Sequence, residues 1–246
     1  MRDETRSSKE DVLSKNEVKE LLSMASGVDK LIILSLIHCG LRASELEHMR
    51  WHWLHFDEED NEFGIDYIQI SKNHQPCDCH QCLLNAFIKL RRGDVKGKPK
   101  IKKNRDWYIK VQKEFHRLRT AGELPELKAY WLPKPKKSAR IIPIFNKRLI
   151  KMLKSYFNQH DKFELNRFQI WERVKKVSGK ALGDKRLYPH ALRATCATNL
   201  AKRGFGAYDL TSFMGWESIS TANNYVKEDT HHMIKSLKKL ELESQK

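Results

Sequence analysis

The chain has 246 residues, 40% of them hydrophobic and 32% charged, enough for a true core beneath a heavily solvated surface. Its 47 lysines and arginines against 31 acidic residues give a net charge of +16, which points to a polyanionic partner, nucleic acid before membrane. No apolar run approaches the ~20 residues of a spanning helix. The first residues are polar rather than signal-like, and five cysteines do not form a secreted disulfide framework, so a cytoplasmic protein is expected.

Residues 1–12 read as a polar, frayed lead. Ser14 and Glu17 have capping-box spacing, and Val18, Leu21, Leu22 and Ala25 then repeat at helical intervals. A more apolar helix is predicted from Asp29 to Cys39, stopped by Gly40, with a short helix through Glu45 and Met49 behind it. Ile65 to Ile70 alternates like a strand. Tyr130–Leu132 and Arg140–Phe145 read as two strands joined by a polar hairpin loop, with Pro143 marking an edge. Helices follow on the stripes Leu149, Met152, Leu153, Tyr156 and Phe168, Trp171, Val174, Val177, the second ending near Gly179. Pro189 suits the first position of another helix. Tyr208–Met214 and Ser218–Val226 are helical, and a tail carries Met233, Ile234, Leu237 and Leu240 on one face. The expected class is mostly α with a small antiparallel β-sheet, an α+β architecture.

Several residues have the chemistry to break a phosphodiester without a metal. Arg42 follows the glycine stop, and Arg193 lies one helical turn after His190, so both face one side. Guanidinium forks clamp phosphate oxygens with paired hydrogen bonds. Histidine can move a proton near neutral pH, the Trp216 indole can only donate, and Tyr225 offers a phenolic nucleophile.

These residues lie in GLRASEL (40–46), PHALRATCATNLAKRG (189–204) and MGWESISTANNYV (214–226). Their order resembles the catalytic domain of the tyrosine recombinases, the phage-type integrases, most of all those of archaeal viruses and plasmids. Arg193 and Trp216 are 23 residues apart, and Tyr225 follows nine later, as in that family. Tryptophan stands where histidine is commoner. The resemblance implies site-specific DNA recombination and integration through a 3′-phosphotyrosine on Tyr225, with Arg42, His190, Arg193 and Trp216 around the phosphate. Glu45 would orient the His190 region. It also implies a hairpin lysine as acid for the leaving 5′-oxygen. Pro133-Lys134-x5-Arg140-x-x-Pro143 favours Lys134, with Lys136 the second choice. No cofactor is expected for catalysis. Double-stranded DNA is the expected partner, with a homo-oligomer, a tetramer, assembling on it. The tail would dock either in cis or on a neighbouring protomer. The family's usual N-terminal DNA-clamping domain is expected to be absent, leaving 1–246 as one catalytic domain.

Residues 73–129 read as a basic, cysteine-containing insertion. Within it, 89–119 hold 13 Lys and Arg against 3 acidic residues, interleaved with Trp107, Tyr108 and Phe115. That is a footprint for DNA-backbone contact, which positions but does not specify. Cys77, Cys79 and Cys82, with His74 or His80, could hold a structural zinc. The metal-free reading is preferred, because a single residue between Cys77 and Cys79 strains tetrahedral chelation. Cys39 and Cys196 read as small core residues. Two rival functions stay open: DNA relaxation of the type IB topoisomerase kind, and a non-catalytic DNA-binding remnant or accessory protein.

Overall fold

A computed structural model of the chain describes residues 11–56, 63–93, 105–133, 138–183 and 187–226. In chain order the elements are α1 (Lys15–Met24), α2 (Gly27–Cys39), α3 (Ala43–Glu47), β1 (Leu54–His55), β2 (Tyr67–Ile70), β3 (Gln75–Pro76), α4 (His80–Gly93) and α5 (Arg105–Ala121). They continue with β4 (Tyr130–Trp131), β5 (Arg140–Pro143), α6 (Lys147–Phe157), α7 (Arg167–Leu182), α8 (Pro189–Lys202), α9 (Ala207–Met214) and α10 (Ile219–Asn223). Two compact units result: residues of 1–71 and 133–246 form one, and 72–132 the other.

In the first unit α2 is apolar on every side, from Leu31 through Ile37, and accordingly occupies the centre, packed by α3, α6, α7 and α8. α8 packs against it, and the small residues Ala191, Ala194, Cys196 and Ala197 of α8 are buried. Pro189 is its first residue, as expected. α1 starts with the predicted capping box: Glu17 N donates to Ser14 Oγ, and Ser14 N donates to Glu17 Oε2. The lead is less frayed than expected over residues 11–13. Leu13 is buried and its N–H donates to Thr195 Oγ1, while Asp11 accepts from the Tyr188 hydroxyl.

The expected hairpin of 130–132 with 140–145 does not form. β5 pairs antiparallel with β2, in the order β1-β2-β5, and β4 pairs with β3. Register explains the choice: Ile142 lies opposite Ile68, and both are fully buried, so β2 supplies the apolar partner that β5 needs. Pro143 sits on an edge strand of that sheet, where its missing N–H costs nothing. The buried face of α7 runs through Ile170, Val174, Val177 and Ala181, so the predicted Val174 and Val177 lie on it, whereas Phe168 and Trp171 are exposed. α7 continues past Gly179 to Leu182.

In the second unit α4 and α5 enclose a small core of Leu84, Phe87, Ile88, Val111 and Phe115, with Trp107 and Tyr108 packed against it. The outward face of α5 carries Lys110, Lys113 and Arg117, all exposed and near one helical stripe.

Candidate active site

Two glycines end two helices in the first unit, and both endings are built for arginine. Gly40 after α2 and Gly215 after α9 take left-handed conformations, with φ of 55° and 60°. Neither tolerates a side chain. A Cβ on Gly40 would lie 2.7 Å from Met214 Sδ, and one on Gly215 would lie 2.9 Å from the backbone of Ser138. Helix C-termini leave unsatisfied carbonyls carrying partial negative charge. Here guanidinium groups satisfy them: Arg193 donates to Gly40 O and Met214 O, Arg42 to Gly215 O at 2.7 Å, and Arg140 to Phe213 O at 2.7 Å.

One buried carboxylate joins the three cations. Glu45, only 1% exposed, accepts from Arg42 Nη1 at 2.6 Å, Arg140 Nη1 at 3.0 Å and Arg140 Nη2 at 3.1 Å, with Arg193 Nη1 at 3.9 Å. Glu45 also accepts the Arg42 backbone N–H at 2.8 Å, which closes the first turn of α3. Burial pulls its carboxyl upward, but Arg140, Arg193 and Arg42 outweigh that and hold it at about 2. Burial lowers the Arg193 guanidinium and Glu45 raises it; with Arg42 and Arg140 lowering it again, the balance is about 9, still a cation at neutral pH. Glu45 was expected to orient the His190 region. In the structure it pairs with Arg42 and Arg140, with Arg193 beside it.

His190 stands one turn before Arg193 on α8 and keeps much of its surface open. Protein crowded around its ring, then Arg193 and Arg42, lower its pKa from the ordinary 6.5, so the imidazole is neutral at pH 7. Trp216 directly follows the Gly215 carbonyl that holds Arg42. Its indole stacks on the Tyr225 ring, with centroids 5.2 Å apart and planes 16° from parallel. Both rings pack on Cys196, Ala197 and Met214. The structure therefore brings Arg42 and Arg193 onto one carboxylate, sets His190 beside them, and stacks Tyr225 on the residue next to their shared helix end. Lys134, like Lys136 and Lys137, lies outside the described residues.

Sequence reasoning missed Arg140 and Ser138. The Ser138 hydroxyl accepts from Arg42 at 2.7 Å, and the Ser138 carbonyl accepts from Arg140 at 2.7 Å. The signal was an arginine heading the apolar strand Arg140–Pro143, a cation entering a core that must contain its counter-charge. In the other unit the sulfur atoms of Cys77, Cys79 and Cys82 lie within 4.8 Å of one another. Cys39 and Cys196 are buried core residues, as expected.

Residues 127–232 match the phage integrase family. Tyrosine recombinase XerA of Pyrococcus horikoshii is 26% identical over 231 residues, covering 94% of this chain and 61% of that protein. Among solved structures, a Tn1549 transposon integrase in complex with circular intermediate DNA aligns with a TM-score of 0.58 at 18% identity, over 98% of this chain and 69% of that one. XerH recombinase bound to its difH substrate aligns with a TM-score of 0.53 at 14% identity, over 96% and 56%. The chain thus spans about three fifths of the XerA relative's length. Among the described residues no helix is long and apolar enough to cross a membrane. The mostly helical fold with its small antiparallel sheets is thus similar to that of these recombinases, and residues 127–232 carry the match to the phage integrase family.

Proposed function

We propose that this domain cuts and rejoins double-stranded DNA in site-specific recombination or integration, as a soluble cytoplasmic enzyme assembling as a tetramer on its substrate. The Tyr225 phenolic oxygen attacks phosphorus, the bond to the 5′-oxygen breaks, and the enzyme is left joined to a 3′-phosphate. Attack by a 5′-hydroxyl from a second strand reverses the step and exchanges partners. Arg42 and Arg193 hold the non-bridging oxygens, and Trp216 donates a further hydrogen bond. Neutral His190 relays the phenolic proton, and Lys134 protonates the leaving 5′-oxygen. No metal takes part. Residues 72–132 act as a basic insertion that grips the DNA backbone.

The observation that carries this reading is the shared anchoring of Arg42 and Arg193. Both donate to Glu45 or lie beside it, and both cap the carbonyls of α9, next to the Trp216–Tyr225 stack. Preorganised cations of this kind stabilise developing negative charge without reorganising during reaction. The test is a library of nicked duplexes with randomised sequence around the nick, which traps a covalent intermediate by losing the short 5′-hydroxyl strand. Wild type should give a denaturant-stable adduct whose peptide map places the phosphodiester on Tyr225, and Tyr225→Phe should give none. An equal adduct with Tyr225→Phe, or none with wild type across the library, overturns the proposal.

A further inference from the structure

We propose that Cys77, Cys79 and Cys82 form a thiolate site for a zinc ion that holds the 72–132 unit together. The three thiols are reduced and within 4.8 Å of one another. Zinc with sulfur at about 2.3 Å sets tetrahedral ligands about 3.8 Å apart, so closing onto an ion takes about an ångström of movement. The single residue between Cys77 and Cys79 therefore does not prevent convergence.

The backbone is already arranged for negatively charged sulfur. Cys79 N donates to Cys77 Sγ and Cys82 N donates to Cys79 Sγ, both at 3.4 Å. Amide donors on the sulfurs favour thiolate and tune a bound metal. Cys79 immediately precedes α4 and Cys82 lies in its first turn. His80 Nδ1 lies 2.8 Å from Arg119 Nη1, and the His74 ring meets Tyr130 edge-on. The site thus supplies three sulfur ligands, with the fourth position taken by water or a non-sulfur group. On binding, each thiol gives its proton to solvent, and no oxidation state changes.

The unit needs such a tie. Its core is five buried residues between two helices, and its sheet is two residues per strand. Modules of this size commonly rely on a metal or disulfides. Cys77 N donates to Ala129 O beside the β3–β4 pair, so an ion here fastens that pair to the start of α4.

The full chain, purified under reducing conditions with zinc present, should retain one zinc per chain by plasma mass spectrometry. Cobalt should then give a sulfur-to-metal charge-transfer band of three-thiolate intensity. Cys77→Ser, Cys79→Ser and Cys82→Ser should each lower zinc retention at least tenfold, whereas Cys39→Ser should not. Should the serine variants aggregate, chelation of the wild type gives the second readout: protease cleavage within 72–132 should rise and be reversed by zinc. Less than a tenth of an equivalent of zinc with no cobalt band, retention unchanged in Cys82→Ser, or proteolysis indifferent to chelator would overturn the site. None of these measurements involves DNA, so they separate this inference from the recombinase reading.

Discussion

Glu45→Gln isolates the charge that organises the arginine cluster while keeping its shape. The carboxylate sits at about 2 against an ordinary 4.5. At about 1.4 kcal/mol per tenfold change in proton affinity, its ionised form favours the fold by about 3 kcal/mol. The folded value is the lower one, so this stabilisation is complete above about pH 5 and lost as pH falls through 4.5 toward 2. About 2 kcal/mol of it should be gone by pH 3. The amide also turns one acceptor into a donor facing Arg42 or Arg140, and breaking a buried pair from one side typically costs about 3–5 kcal/mol. Urea unfolding followed by tryptophan fluorescence at pH 7, 4 and 3 measures both effects. Glu45→Gln should be about 3–5 kcal/mol less stable at pH 7, with the gap shrinking by about 2 kcal/mol at pH 3. A variant within about 0.5 kcal/mol of wild type at pH 7, or a gap that does not change with pH, refutes the idea that this anion holds the cluster.

Gly215→Ala should destabilise the chain by more than about 1 kcal/mol, because its Cβ meets the Ser138 backbone and its φ is positive. DNA cleavage should fall further than stability alone explains, since the carbonyl holding Arg42 moves; thermal melts beside a single-turnover cleavage assay decide this, and an unaltered melt contradicts it. An NMR titration of His190 should give a midpoint below 6.5, and Arg42→Gln, by removing a nearby cation, should raise it; a midpoint unmoved by the substitution counts against the electrostatic account. Replacing Lys110, Lys113 and Arg117 together by Gln should lower the salt slope of duplex binding by about 0.9 for each phosphate that is no longer neutralised. A slope equal to wild type places the DNA-gripping surface on another face.

Helices were the legible part of this fold, because their caps and stops are local. Ser14 with Glu17, Gly40 and Pro189 each performs in the structure the role its chemistry implies. Strand pairing was not legible. Nothing within 130–145 says that β5 belongs to β2, some seventy residues earlier; only the match of buried Ile142 with buried Ile68 selects that register. The first half of the α7 stripe was misplaced, although Val174 and Val177 lie where they were expected. Aromatics carry most weight in a periodicity, yet Phe168 and Trp171 face outward while the smaller Ile170 fills the core. At the site, Arg42, Arg193, Trp216 and Tyr225 stood out through chemistry and spacing. Arg140 did not, because its meaning lies in a carboxylate 95 residues away.

Among the described residues, the cluster also carries more positive charge than its protein groups neutralise. Three guanidiniums, from Arg42, Arg140 and Arg193, surround the single carboxylate of Glu45, a formal balance of three minus one, or +2. Holding like charges so close is unfavourable, and helix-end carbonyls offset only part of it with partial charges. A phosphodiester brings one negative charge, and the five-coordinate state formed by Tyr225 attack brings nearly two. On the proposed reading the excess matches the transition state better than the bound substrate, which is the condition for speeding a reaction rather than merely tightening binding. Arg140 then has a definite part without touching DNA. It shares Glu45 with Arg42, so the carboxylate positions Arg42 without fully neutralising it. Substituting Arg140 by Leu should leave Arg42 more tightly paired to Glu45, and cleavage should fall while duplex affinity stays near wild type. A parallel loss of both would mean that Arg140 supports the fold alone.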